Sequence, residues 1–184
     1  MRKTVTAPLA AGLALVAIAG NAEPVSPAMT GPVIKDFGPY YPVPAPGFPT
    51  DTDMDYRVVF DVARSDQDAA SVNPRIATAA RFLNMHTANR VDPSRIHLAV
   101  VVHGAAAEDL LGDTAYRQRN GIDNPNTPLI AQLAAAGVDI IVCGQTAAHR
   151  GFTQTMFNEK VLLALSAMTA LVTLQNRGYA LIQF

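Results

Sequence analysis

Apolar positions along this chain gather into short runs, separated by stretches where they recur every three or four residues. The runs are Tyr56 to Val62, Arg95 to Val102, Val138 to Cys143, Lys160 to Ser166 and Tyr179 to Phe184. Within the second, Leu98-Ala99-Val100-Val101-Val102 is continuous, which suits a strand buried on both faces of a parallel sheet. The intervening segments carry helix signals. Asn73-Pro74 predicts a cap and first turn, and Ile76, Ala79, Ala80 and Leu83 then repeat at helical spacing up to about Asn89. Ser65 to Ser71 is polar and predicts a loop, Ala105 to Leu111 a short helix, and Thr114 to Arg119 a turn. Thr127-Pro128 is a second cap-and-proline start, with Leu129, Ile130, Leu133 and Ala134 as the apolar face and Gly137 as a left-handed stop. Gly144-Gln145-Thr146 predicts a tight turn and helix start. Residues 151 to 159 are expected to be helical, and so is Met168 to Asn176, closed by Gly178. Strands alternating with helices predict an α/β fold: a three-layer α/β/α sandwich with right-handed crossovers and a mostly parallel, five-stranded sheet.

The first 55 residues follow another pattern. Arg2 and Lys3 precede an apolar stretch from Ala7 to Ala19, and Gly20-Asn21-Ala22 offers small residues for cleavage. That is the layout of a secretory signal peptide over residues 1–22. The alternative is a membrane anchor, but the stretch falls short of the ~20 residues needed to span a bilayer. No stable membrane span is expected after cleavage. Residues 23–55 hold eight of the thirteen prolines and predict an extended tether or a strap over the domain. The aromatics Phe37, Tyr40, Tyr41 and Phe48 favour a docked strap. Residues 56–184 then form the compact domain.

Charge narrows the function classes. The formal net charge is −1; loss of Arg2 and Lys3 with the signal leaves 12 basic against 15 acidic residues, or −3. With no dense basic stretch, a nucleic-acid partner is not expected. No glycine-rich phosphate fingerprint follows the first strand, which argues against a dinucleotide cofactor. One cysteine and no closely spaced histidine pair argue against zinc; His86 and His97 lack ligand spacing with any partner.

The chemistry that remains gathers at two strand ends. Cys143, the sole cysteine, closes one apolar run and is followed by Gly144, Gln145 and Thr146; His103 and Gly104 close another. Ligands in open α/β sheets bind at the carboxyl ends of strands, and consecutive parallel strands are often neighbours. Both ends are therefore expected on one rim, with Cys143 as the reactive group and His103, Gly104, Gly144, Gln145 and Thr146 forming the binding surface. A helix N-terminus near Thr146, or the cations His149 and Arg150, would lower the thiol pKa, and neutral His103 would act as base or hydrogen-bond partner. In an oxidising periplasm a lone cysteine suggests a reactive thiol or an intermolecular bond. The bland alternatives stay open: a buried cysteine as small hydrophobe, His103 bonded to a loop carbonyl, Gln145 capping a helix, and His149 and Arg150 as solvated loop residues.

Several segments together resemble the DsrE/DsrF-like family, in its exported, YchN-like branch. They are Tyr56 to Val62, Val101-Val102-His103-Gly104, Asn124-Pro125-Asn126, Ala136 to Gln145 and Leu174 to Tyr179. The Gly137-Val138 to Val142-Cys143-Gly144-Gln145 segment is the most specific. The resemblance covers residues 55 to 184 and implies a small α/β/α sandwich assembled as a homo-oligomer, often a trimer or hexamer. Some family members carry sulfur as a cysteine persulfide, and their sulfur-bearing cysteine matches Cys143 by its place after the third strand. The signal peptide argues against cytoplasmic transfer-RNA thiolation. The expectation is a periplasmic sulfur carrier that exchanges with a donor or acceptor protein. Its rivals are a non-catalytic small-ligand or partner-binding module and a purely structural oligomer subunit.

Overall fold

The computed structural model describes residue 1, residues 26–65 and residues 68–183. The predicted signal segment therefore lies, but for its first residue, outside the described residues. Among the described residues, no helix is long and apolar enough to cross a membrane.

Five strands form one fully parallel sheet. β1 (Tyr56–Val62), β2 (Ile96–Val102), β3 (Asp139–Cys143), β4 (Val161–Ala164) and β5 (Ala180–Gln183) take the order β4-β3-β2-β1-β5. The two seven-residue, mostly apolar strands β1 and β2 sit near the centre; the four-residue strands β4 and β5 form the edges. The crossovers carry α1 (Ala77–Ala88), α2 (Asp113–Asn120), α3 (Thr127–Ala135), α4 (Gly144–Arg150) and α5 (Ala167–Asn176). The predicted α/β/α sandwich is thus the observed architecture.

The alternation of side chains along each strand divides the core in two. One face presents Val58, Phe60, Val62, Leu98, Val100, Val102, Ile140 and Val142 to the apolar stripes of α1 and α3. The other presents Val59, Ala99, Val101 and Cys143 to α5 alone, through Ala167, Ala170 and Leu174. Alanines on both sides of this second seam let α5 lie close to the sheet. Its outer side, with Met168 and Val172, stays in solvent, as do Leu162 and Leu165 beside it.

Asn73 caps the first turn of the α1 segment as predicted, its Oδ1 accepting from the N–H of Arg75 at 2.9 Å. Residues 26–40 pack on the same helix. Met29 and Tyr40 pair antiparallel, and buried Asn84 of α1 holds the loop between them. Its Oδ1 accepts from the Ile34 N–H (2.8 Å) and its Nδ2 donates to the Ile34 and Phe37 carbonyls (2.8 and 3.0 Å). Ile34 and Tyr40 are the buried anchors; Tyr41 and Phe48, expected to dock, are exposed.

Two expectations fail. Residues 151–159 are not a helix. The helix lies earlier, over Gly144–Arg150, and Gly151 ends it at φ +71°. Phe152 and Phe157 are both buried and meet edge to face at 5.9 Å, with only a 3-10 turn at Gln154–Met156 between them. A five-residue spacing is not a helical repeat, and anchoring both rings holds the segment irregular. Conversely, Thr114 to Arg119 is no isolated turn but the body of α2. Only its adjacent Ala115 and Tyr116 are buried, so it shows no apolar period.

Candidate functional site

Three neighbouring strands end on the α5 face with polar side chains. On β1, Val59 faces α5, and so does Asp61 two residues on. On β2, Ala99 and Val101 face it, and His103 continues the alternation just beyond the strand; on β3, Ile141 and Cys143 do the same. Asp61, His103 and Cys143 thus form a row across three adjacent strand ends and line one cavity of about 320 Å³. Gln145, Ser166, Ala167, Met168 and Leu171 complete its walls.

Asp61 is only 7% exposed. Its Oδ1 lies 2.9 Å from Nε2 of His103, and its Oδ2 accepts from the side-chain amide of Gln183 on β5 at 3.1 Å. A carboxylate only accepts, so the shared proton belongs to His103 Nε2. Nδ1 is then the ring nitrogen that Asp61 does not engage.

Cys143 is the N-cap of α4, and its Sγ accepts from the Thr146 N–H at 3.4 Å. Burial pushes the thiol pKa up. The Thr146 hydroxyl and the N–H groups of Thr146, Ala167 and Gln145 outweigh it, and the net shift is downward. These donors come from the first residues of α4 and α5, two helices whose starts converge on the sulfur. The α4 start expected near Thr146 is at Gly144. The expected cations are elsewhere: Arg150 pairs with Glu108 at 3.7 Å, and neither it nor His149 lines the cavity.

Of the predicted site residues, Cys143, His103 and Gln145 line the cavity, whereas Gly104, Gly144 and Thr146, adjacent to them in the chain, do not. Gly104 stands at φ +58°, and its N–H donates to Thr146 Oγ1 at 3.3 Å, tying the ends of β2 and β3 together. A β-carbon at Gly104 would lie 2.8 Å from the Ala63 carbonyl oxygen; one at Gly144 would lie 2.4 Å from that of Ala164. Gln145 donates to the Leu165 carbonyl at 3.3 Å, bracing the β4–α5 junction. Sequence reasoning did not single out Asp61, Gln183, Ser166, Met168 or Leu171. For Asp61 a signal existed: period-two alternation places it on the same face as Cys143.

The sequence model of the DsrE/DsrF-like family matches residues 54–184. The chain belongs to the DsrE/DsrF-like family. The structures of two proteins agree with that membership at the level of fold. One is MTH1491 of Methanobacterium thermoautotrophicum, described as of unknown function: 20% identity, TM-score 0.52, covering 71% of this chain and all of that one. The other is the ychN protein of E. coli: 15% identity, TM-score 0.51, covering 70% of this chain and 99% of that one. No curated protein sequence matches this DsrE/DsrF-like chain. Among the described residues, no cluster of three His, Cys, Asp or Glu side chains could hold a metal ion.

Proposed function

We propose that this protein carries sulfane sulfur as a persulfide on Cys143, taking it from a donor and passing it to an acceptor by thiol exchange. The observation that carries this reading is the thiol itself: cradled by three backbone N–H groups and a hydroxyl, with a lowered pKa, at the wall of a cavity. Thiolate is the form that attacks a sulfur–sulfur bond, and the same donors suit the anionic persulfide that results. Family membership supports a sulfur-relay role.

The compartment is the periplasm. This rests on the pattern of Arg2, Lys3 and the apolar stretch to Ala19. The protein works as a homo-oligomer, supported by the exposed Leu162, Leu165, Met168 and Val172 beside one another on the α5 side.

Incubation with polysulfide followed by mass spectrometry tests the reading. A gain of about 32 Da, lost on reduction and confined to Cys143, is expected. No adduct on the folded protein, or the same adduct on Cys143→Ser, overturns it. Sedimentation velocity tests the assembly, and a stable monomer rules it out.

A further inference from the structure

Asp61 is unexpected where it stands. The position is the sixth residue of a central strand whose neighbours are buried valines and phenylalanine, and an ionised carboxylate there is costly unless fully partnered. Its partners are on hand: Gln183 from β5 on one oxygen and His103 on the other. This places an imidazole oriented through Nε2, with Nδ1 not engaged by Asp61, in the wall of the cavity that holds the Cys143 sulfur. A buried carboxylate that orients an imidazole is also part of the arrangement that moves protons in acyl-transfer enzymes, and here imidazole and thiol share one cavity.

We infer that Asp61 and Gln183 are positioning residues that hold His103 as the proton carrier for sulfur exchange at Cys143, and that the donor is a small alkyl persulfide that reacts in its neutral R–S–SH form. This inference rests on the sulfur-carrier reading. The Cys143 thiol gives its proton to His103 Nδ1, and the thiolate attacks the outer sulfur of R–S–SH. The bond between the two donor sulfurs breaks as Cys143–S–SH forms. The departing RS⁻ takes the proton from His103 and leaves as RSH. One thiol and one persulfide yield one persulfide and one thiol, with no electrons gained or lost. The cavity favours that donor class: Ala167, Met168 and Leu171 supply apolar wall, and Asp61 supplies negative charge. Among the described residues no lysine or arginine lines it to receive a dianion such as thiosulfate.

The proton matters most when the leaving thiol is a weak acid. The test therefore compares 2-hydroxyethyl persulfide with trifluoroethyl persulfide, similar in size but with a much more acidic departing thiol in the second. Single-turnover formation of the Cys143 adduct is followed by mass spectrometry for the wild type, Asp61→Asn and His103→Gln. Both variants should lose about 100-fold on the hydroxyethyl donor, the scale of general acid–base catalysis, and far less on the trifluoroethyl donor. Gln183→Leu, on the edge strand, should show the same bias to a smaller degree. Equal losses on both donors overturn the proton-carrier role and leave the sulfur-carrier reading standing. No adduct on the wild type with either donor, where polysulfide still loads Cys143, overturns the donor class and the proton-carrier role; the sulfur-carrier reading falls only if polysulfide fails as well. Each ratio is taken on one preparation, so a partly unfolded variant lowers both rates and leaves the ratio unchanged.

Discussion

The two faces of the sheet are built on opposite principles. The face under α1 and α3 is broad and fully apolar, with large side chains such as Phe60, Leu98 and Ile140 interlocked with Leu83, Leu129 and Leu133. The face under α5 is narrow, is seamed with alanine, and ends in Asp61, His103 and Cys143. One face supplies stability. The other tolerates polar groups because the first has already secured the fold, and its single helix leaves room for a cavity at the strand ends. The candidate site lies on the face covered by a single helix, beside the most exposed apolar side chains of the domain.

Substitutions on the two faces should separate these roles. Phe60→Ala, in the thick core, should cost about 3–5 kcal/mol in urea unfolding, whereas Leu174→Ala under α5 should cost only about 2 kcal/mol. Equal costs would erase the distinction. Asn84→Ala strips the loop at residues 33–37 of its side-chain partners and should cost about 1–3 kcal/mol. It should also speed proteolysis within residues 26–55, measured by limited digestion. Thr146→Val removes a hydroxyl from the thiol on the thin face. It should slow Cys143 alkylation at neutral pH and move the midpoint of its pH dependence upward, with a small drop in the unfolding midpoint from the lost Gly104 bond. The smallest effect expected is an acid response on the thick face. His86 stacks on Phe82 with ring centroids 3.8 Å apart, and burial lowers its pKa despite its bond to the Phe82 carbonyl. Its folded-state pKa is below the ordinary 6.5, so the unfolded chain binds the proton first. The stability it contributes is whole above pH 6.5 and fades as the pH falls through its folded-state pKa. His86→Phe should flatten that part of the stability–pH curve in thermal melts.

Legibility in the sequence followed the same division. The thick face announces itself, because unbroken runs such as Leu98 to Val102 and the Ile76-Ala79-Ala80-Leu83 repeat have few other uses. Cys143 and His103 were legible as residues that close such runs. Asp61 was harder, since one carboxylate inside an apolar strand reads as a blemish until the partner strand is known to bring His103 beside it. The docking of residues 26–40 depended on a polar residue. Asn84 stands four residues after Ala80 on a buried helical stripe, where an amide signals a backbone to be satisfied. Aromatic content pointed to Phe37 and Tyr40, which pack against the domain, but also to Tyr41 and Phe48, which are exposed. The irregular path from Gly151 to Glu159 was illegible, because two phenylalanines finding one core pocket is a tertiary fact with no local period.

Gln183 reaches Asp61 across a separation of 122 residues, the longest side-chain hydrogen bond described in the chain. At ribosomal speeds of ~5–20 residues per second, β1 emerges roughly ten seconds before the strand that flanks its outer edge. Until then that edge is an open template for pairing with other chains. Asp61 therefore has no Gln183 partner in any nascent form, and the cluster at the strand ends is completed only when β5 arrives.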